Sequence, residues 1–211
     1  MKFQEPEKEQ AFASVLCNIK SVFDYEENAK WFFSFGTLLY FIRDMNMGKE
    51  YWGDIDVSVL DAKTEAGEFE RRMKEFGFRL KHKAVDSEDG RPYQMAFNDE
   101  FRPGLPDVDV FFWRKGVKNY YHAYDYHMDR PKSGVLSRYV FKGTPVAALK
   151  GEPYKYVWLD IAPDMNFPHL YGTLLDIWYP GWFIPDRNFG QSNCVQKVEV
   201  KNCKGLKEKL I

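Results

Sequence analysis

The sequence predicts an α+β domain in which helices pack against a mixed β-sheet. Two observations carry that reading. The segments run strand, helix, strand, helix and then several further strands, an order that suits helices laid on one sheet. Aromatic residues make up 18% of the chain and are spread along it, which argues for a packed core and against disorder.

At 211 residues the length fits one domain with a real core. We place that domain at residues 1–190, including an N-terminal helix, followed by a polar tail at 191–211. The formal net charge of −1, from 30 basic and 31 acidic residues, offers no basic excess for a nucleic-acid partner. Cys17, Cys194 and Cys203 form no C-x-x-C pair, so reduced thiols and no structural zinc are expected. The first residues carry no apolar signal core, and no run reaches membrane-spanning length. These features together point to a cytoplasmic protein.

Each element follows from its pattern. From about Pro6 to Asn28, Phe12, Val15, Leu16, Ile19, Val22 and Phe23 fall on one helical stripe, and Pro6 suits a first turn. Trp31 to Phe35 reads as a short apolar strand. Gly36-Thr37 then opens a helix carrying Leu38, Leu39, Phe41 and Ile42, which should fade near Met47-Gly48. Asp54 to Leu60 alternates, with Ile55, Val57 and Val59 on one face and Asp54, Asp56 and Ser58 on the other. A helix from about Thr64 to Phe76 uses Phe69, Met73 and Phe76, with Gly77 as its C-terminal cap. Phe78 to Val85 and Tyr93 to Phe97 read as paired strands around the turn-rich Asp86-to-Pro92 segment. Asp107 to Trp113 alternates again. Beyond Gly116 the pattern weakens: Tyr120 to Tyr126 is aromatic, Arg138 to Val146 reads as a strand, Asn166 to Trp178 as a helix and Val195 to Val200 as a short strand.

The candidate chemistry lies between the first two strands. Side chains at i and i+2 of a strand share a face, so Asp54 and Asp56 should converge. Such a pair is costly unless a cation sits between them, and hard oxygen ligands suit Mg²⁺, with Mn²⁺ as an alternative. Gly36 permits close backbone approach, and its amide and that of Thr37 lie at a helix N-terminus, a natural phosphate cradle. Asp109, between Val108 and Val110, could complete the metal site or take a proton from an attacking hydroxyl. Arg43, further along the same helix, could neutralise phosphate charge. Phosphoryl transfer asks chiefly for this positioning and charge neutralisation. Each feature alone has a plainer reading: a turn with a cap, the wet face of an edge strand, a solvated Asp107–Asp109 pair, an Arg paired with Asp44 or Glu50. Their order and their apolar frame favour the functional one.

A strand, Gly36-Thr37, a helix, the h-D-h-D-h strand and a later h-D-h strand together resemble the nucleotidyltransferase superfamily with the polymerase-beta-like fold. More narrowly, Phe35-Gly-Thr-Leu-Leu-Tyr-Phe-Ile-Arg43 and Trp52-Gly-Asp-Ile-Asp-Val57 look like the LicD family, which includes phosphocholine and fukutin-related ribitol-phosphate transferases. Gly36, Thr37, Leu38, Leu39, Arg43, Trp52, Asp54, Ile55 and Asp56 agree with its signature. Tyr40, Tyr51 and Gly53 depart from it, and the loop carrying Lys49 and Glu50 is longer. Downstream, Asp109 with Val110-Phe111-Phe112, then Phe141-Lys-Gly143-Thr-Pro145, and Leu170-Tyr171-Gly172 with Trp178 and Pro180, resemble later family segments. The likeness spans roughly residues 30 to 185.

The resemblance implies a Mg²⁺-dependent phosphotransferase that moves a phosphoalcohol from a CDP-activated donor to a sugar or polyol hydroxyl, with CMP leaving. Asp54, Asp56 and Asp109 would be the catalytic metal ligands, or Asp109 the base. Gly36, Thr37 and Arg43 would contact phosphate. The partners are then a nucleotide-activated donor and a glycan or polyol acceptor. One alternative is a nucleotidyltransferase that places a nucleoside monophosphate from a triphosphate on a small molecule or protein. Another is a non-catalytic nucleotide-binding module. His122 and His127, five apart, do not suit one metal site. Trp178 to Pro185 reads as either an aromatic stacking surface or a core cap.

Overall fold

A computed structural model describes residues 5–24, 30–43, 54–60, 63–85, 90–102, 104–115, 119–121, 123–125, 137–141, 144–145, 154–156, 165–167, 171–184 and 195–199. The first helix, α1, spans Glu5–Asp24. Its expected stripe of Phe12, Val15, Leu16, Ile19, Val22 and Phe23 is buried throughout.

Strand β1, Lys30–Phe33, leads through Ser34 into helix α2, Phe35–Arg43. Strand β2 is Ile55–Leu60, helix α3 is Ala66–Glu75, and strands β3, β4 and β5 are Phe78–Val85, Pro92–Asp99 and Val108–Lys115. The sheet runs in the order β1-β2-β5-β4-β3. Strand β2 pairs antiparallel with β1 and parallel with β5, while β4 pairs antiparallel with both β5 and β3. The fold is therefore α+β with a mixed five-stranded path and helices packed against it, as the sequence predicts.

The remaining described strands are short. Strands β6 (Asn119–Tyr121) and β9 (Thr144–Pro145) extend the sheet from β5. Strands β7 (Ala123–Asp125), β8 (Ser137–Phe141) and β12 (Val195–Glu199) form a second sheet. Strands β10 (Tyr154–Tyr156) and β11 (Met165–Phe167) pair antiparallel, and helix α4 spans Tyr171–Trp178. The helix expected from Asn166 thus begins five residues later, after Pro168. A proline disfavours the α region for the residue before it, and Met165–Phe167 is extended instead.

Two further differences bear on the site. The first strand ends at Phe33, not Phe35, because Phe35 turns into the left-handed region with φ 43°. That conformation costs a phenylalanine about 1–3 kcal/mol. Burial offsets the cost: Phe35 packs on Phe111, Trp113 and Trp178 at centroid distances of 4.7, 6.1 and 4.4 Å. In addition, β2 is buried along its whole length, including Ser58. A central strand flanked by neighbours on both sides and covered on both faces has no wet face. Ser58 Oγ there accepts a hydrogen bond from Trp113 Nε1 at 2.9 Å.

Helix α3 ends where expected. Gly77, at φ 84°, donates its amide to Lys74 O at 3.0 Å and closes the last turn. Its carbonyl accepts from the Glu100 amide at 2.9 Å, tying the turn to the end of β4. There, the buried Asp99 carboxylate accepts from the amides of Phe101 and Arg102 and from the Arg102 guanidinium.

Trp178 is buried, so the core reading holds for it, while Phe183 and Ile184 are exposed. No helix among the described residues is long and apolar enough to cross a membrane. Met47, Gly48, Trp52, Gly53, His122, His127, Gly143, Cys194 and Cys203 lie outside the described residues.

Candidate active site

The site is assembled where β2 and β5 run parallel and α2 begins. Asp56 and Asp109 are register partners across the two strands, about 4.8 Å apart in the hydrogen-bonding direction. Asp54 and Asp107 each stand one residue before the paired Ile55 and Val108. Both therefore share the face of their i+2 neighbours, and Ile55 N–H donates to Asp107 O at 2.7 Å, holding the strand ends together. Four carboxylates from two distant segments thus face the same way.

Helix α2 is locked onto this edge by its first turn. Ser34 N–H donates to Asp56 O at 3.0 Å, and Ser34 O accepts from Leu38 N–H at 3.0 Å, the first helical bond. The Gly36 and Thr37 amides, orphan donors of a helix start, donate to Asp56 Oδ2 at 2.9 and 3.4 Å. Thr37 Oγ1 accepts from Asp56 N–H at 2.8 Å and donates to Asp54 O at 3.3 Å. The start of α2 therefore presents a donor pair, and the Asp56 carboxyl accepts from both amides. Thr37 has a structural duty that sequence reading did not foresee: its hydroxyl bridges helix and strand.

That bridge makes a prediction. Thr37→Val keeps the volume but strands the buried Asp56 amide, and should cost about 2 kcal/mol. Thr37→Ser, which restores the hydroxyl, should return most of it. Urea midpoints of the two variants check the claim, and equal midpoints would sink it.

Electrostatics mark the cluster as strained. Burial pushes the Asp56 carboxyl well above the usual carboxylate range, and the Asp109 charge adds to the rise. The amides of Thr37 and Gly36 pull the other way, and Asp54 contributes a further rise. Asp109 is raised to about 7, by burial first and then by Asp54 and Asp107, with Lys81 opposing. Asp54, at the solvent edge, is raised by partial burial and by Asp107. Groups pushed up together by burial and like charge are what a divalent cation would relieve.

The donor set fits a hard cation: Asp54, Asp56 and Asp109 offer carboxylate oxygens from one face, beside a helix N-terminus suited to phosphate. Among the described residues, no group of three or more His, Cys, Asp or Glu side chains is arranged to hold a metal ion. One reason is visible in the contacts: Asp56 Oδ2 is turned onto the α2 amides.

Arg43 is the predicted site residue that stands apart. It lies in the last turn of α2, seven residues from Gly36, so the two backbones are separated by about 10 Å along the helix. Two neighbours of the carboxylates were not among the predicted site residues. Asp107 could have been found, because Asp107-x-Asp109 repeats the Asp54-x-Asp56 spacing. Lys81, which pairs with Asp107, arrives from β3 and has no sequence signal.

No family model matches this chain, and no curated protein matches it. Among solved structures, the Cid1 poly(U) polymerase with MgGTP bound is similar over 53% of this chain at 18% identity, with a TM-score of 0.30. This chain spans 33% of the length of that structure. A likeness that remote says nothing of activity, so the functional reading stands on the residues of the site.

Proposed function

We propose that this chain is a divalent-metal-dependent transferase of the nucleotidyltransferase superfamily, which moves a phosphorus-centred group from a nucleotide donor to a hydroxyl. The observation that supports it best is the register of Asp56 with Asp109 on parallel strands, with the α2 amides set against Asp56. Asp54 and Asp56 are the proposed metal holders, and Mg²⁺ bound there would supply charge neutralisation at the phosphates. Asp109 joins that ligand set or receives the proton of the attacking hydroxyl. Burial and the neighbouring Asp54 and Asp107 raise its pKa to about 7, which suits a proton acceptor near neutrality. The Gly36 and Thr37 amides, at the start of α2, would bind phosphate oxygens of the donor. Arg43 acts on phosphate where the donor extends along α2.

Two versions of the chemistry share this site. In nucleotidyl transfer, the acceptor oxygen attacks the alpha phosphorus of a nucleoside triphosphate and the bridging P–O bond breaks. Pyrophosphate leaves with that electron pair, and the hydroxyl proton passes to carboxylate. In phosphoalcohol transfer, the same attack falls on the distal phosphorus of a CDP-alcohol, and CMP leaves. The first version draws on the resemblance of the strand, Gly36-Thr37 turn, helix and Asp54-x-Asp56 strand to nucleotidyltransferases. The second has a specific observation behind it, the Phe35-to-Arg43 and Trp52-to-Val57 segments with their likeness to LicD proteins.

A thermal-shift screen of the full chain with nucleoside triphosphates, CDP-choline and CDP-ribitol, with and without Mg²⁺, tests both. A ligand at about 100 times its Kd should stabilise the fold by about 2.7 kcal/mol. Mg²⁺-dependent stabilisation by a triphosphate alone favours nucleotidyl transfer, and by a CDP-alcohol alone favours phosphoalcohol transfer. Stabilisation by neither overturns the proposal. Binding without turnover of any donor would leave a nucleotide-binding module.

A further inference from the structure

The acidic edge has a built-in cation that comes from the far side of the sheet. Strand β3 lies two strands away from β5, beyond β4. The β3–β4 register steps from Leu80 opposite Phe97 directly to His82 opposite Ala96, so Lys81 is the extra residue of a β-bulge. A bulge re-aims the side chain it carries, and bulges are over-represented beside active sites. Here the Lys81 ammonium reaches Asp107 and donates a hydrogen bond to Oδ2. Its charge also acts on Asp54 and on Asp109. The β4 residue in register with Asp109 is Ala96, whose single methyl leaves room on that face for a long side chain to cross.

We propose that Lys81 is a phosphate-binding residue of the nucleotide donor, held at the acidic edge by Asp107 until the donor arrives. This rests on the transferase reading of the site. The charge balance makes the case. A donor diphosphate adds several negative charges to an edge that already carries Asp54, Asp56, Asp107 and Asp109. A metal ion would neutralise only part of that sum, and phosphate sites built on helix N-termini are commonly completed by a lysine acting as a point charge. Arg43 stands at the far end of α2, whereas Lys81 is already coupled to the carboxylates. It is also more than half exposed, at 59%, so its ammonium is free to swing from a carboxylate to an incoming phosphate at little packing cost. Tying a mobile lysine to one carboxylate lowers the entropy lost when it closes on the ligand.

The test is calorimetric titration of the full chain with Mg²⁺ alone, with pyrophosphate alone, and with both together. Pyrophosphate presents the diphosphate common to both donor classes without a base or head group. In Lys81→Met the stem is kept and the charge removed. Affinity for magnesium pyrophosphate should fall about tenfold or more, while affinity for Mg²⁺ alone stays equal or tightens. Lys81→Arg should stay within about threefold of wild type. Urea midpoints control for folding, and this exposed side chain should leave them nearly unchanged. Equal magnesium pyrophosphate affinity in wild type and Lys81→Met overturns the proposal and leaves the transferase reading standing. Lys81-dependent pyrophosphate binding with no response to Mg²⁺ supports Lys81 and overturns the metal reading. No binding by wild type under any condition overturns both.

Discussion

Asp56→Asn is expected to keep the fold and lose turnover by on the order of 10³-fold, the scale seen when one charged or hydrogen-bonding group is removed from a phosphoryl or acyl transfer site. The fold should survive for a reason visible in the contacts. Asp56 Oδ2 serves as acceptor for the Gly36 and Thr37 amides, and an asparagine Oδ1 can accept the same two bonds. The native carboxyl is, moreover, pushed by burial well above the usual range, so a neutral isostere replaces a group that is already reluctant to ionise. What asparagine cannot do is bind Mg²⁺ as an anion. Asp56→Ala provides the contrast, because it removes the acceptor as well and strands two amides at the start of α2. That variant should lose about 1–3 kcal/mol of stability besides its activity. Steady-state turnover on whichever donor the screen identifies, with urea midpoints alongside, checks both variants. Near wild-type turnover in Asp56→Asn would remove the metal from the mechanism.

The second large effect concerns pH and Asp109. Its carboxyl titrates at about 7 in the fold, against about 3.9 in an unfolded chain. Between those values the folded protein holds a proton that the unfolded chain has released. Stability from this group is then fully present below about pH 4 and is lost as pH rises through about 7, with a slope of up to about 1.4 kcal/mol per pH unit. Asp56, also raised, acts in the same direction. Asp109→Asn removes the group's share, so in chelator the variant should be more stable than wild type at about pH 8 and no better at about pH 4. The difference between the two proteins isolates Asp109 from every other titration. Added Mg²⁺ should narrow the gap at high pH by stabilising wild type alone, because a bound cation favours the ionised cluster. A variant less stable than wild type at about pH 8 would mean that the carboxylate is satisfied without metal. The same substitution should abolish turnover, a case of stability gained where function is given up.

Much of this site was legible because it is built from short-range patterns. The Asp54-x-Asp56 spacing on a strand puts both carboxylates on one face whatever the rest of the chain does, and Gly36-Thr37 marks a helix start by local backbone chemistry. The buried stripe of α1 and the Gly77 cap follow from the same kind of periodicity. The strand expected from Trp31 to Phe35 missed at its end for a reason no local pattern carries. Phe35 leaves the strand because Trp113 and Trp178, distant in sequence, bury its ring and offset a left-handed backbone. Ser58, placed by alternation on the face of Asp54 and Asp56, is buried because β5 and β1 flank its strand and Trp113 supplies its hydrogen bond.

Sequence alone determined which groups the chain has to work with: the paired acids, the amide turn, the apolar frames around them. Those follow from residue type and a repeat of two or of 3.6, which act over a few positions. Tertiary structure decided which of them meet. The parallel pairing of β2 with β5 sets Asp109 beside Asp56, the start of α2 sends two amides onto one carboxylate, and a single extra residue in β3 brings Lys81 to the edge. Such meetings depend on strand order and register, which are set by the packing of the whole sheet and leave no mark on the neighbouring letters.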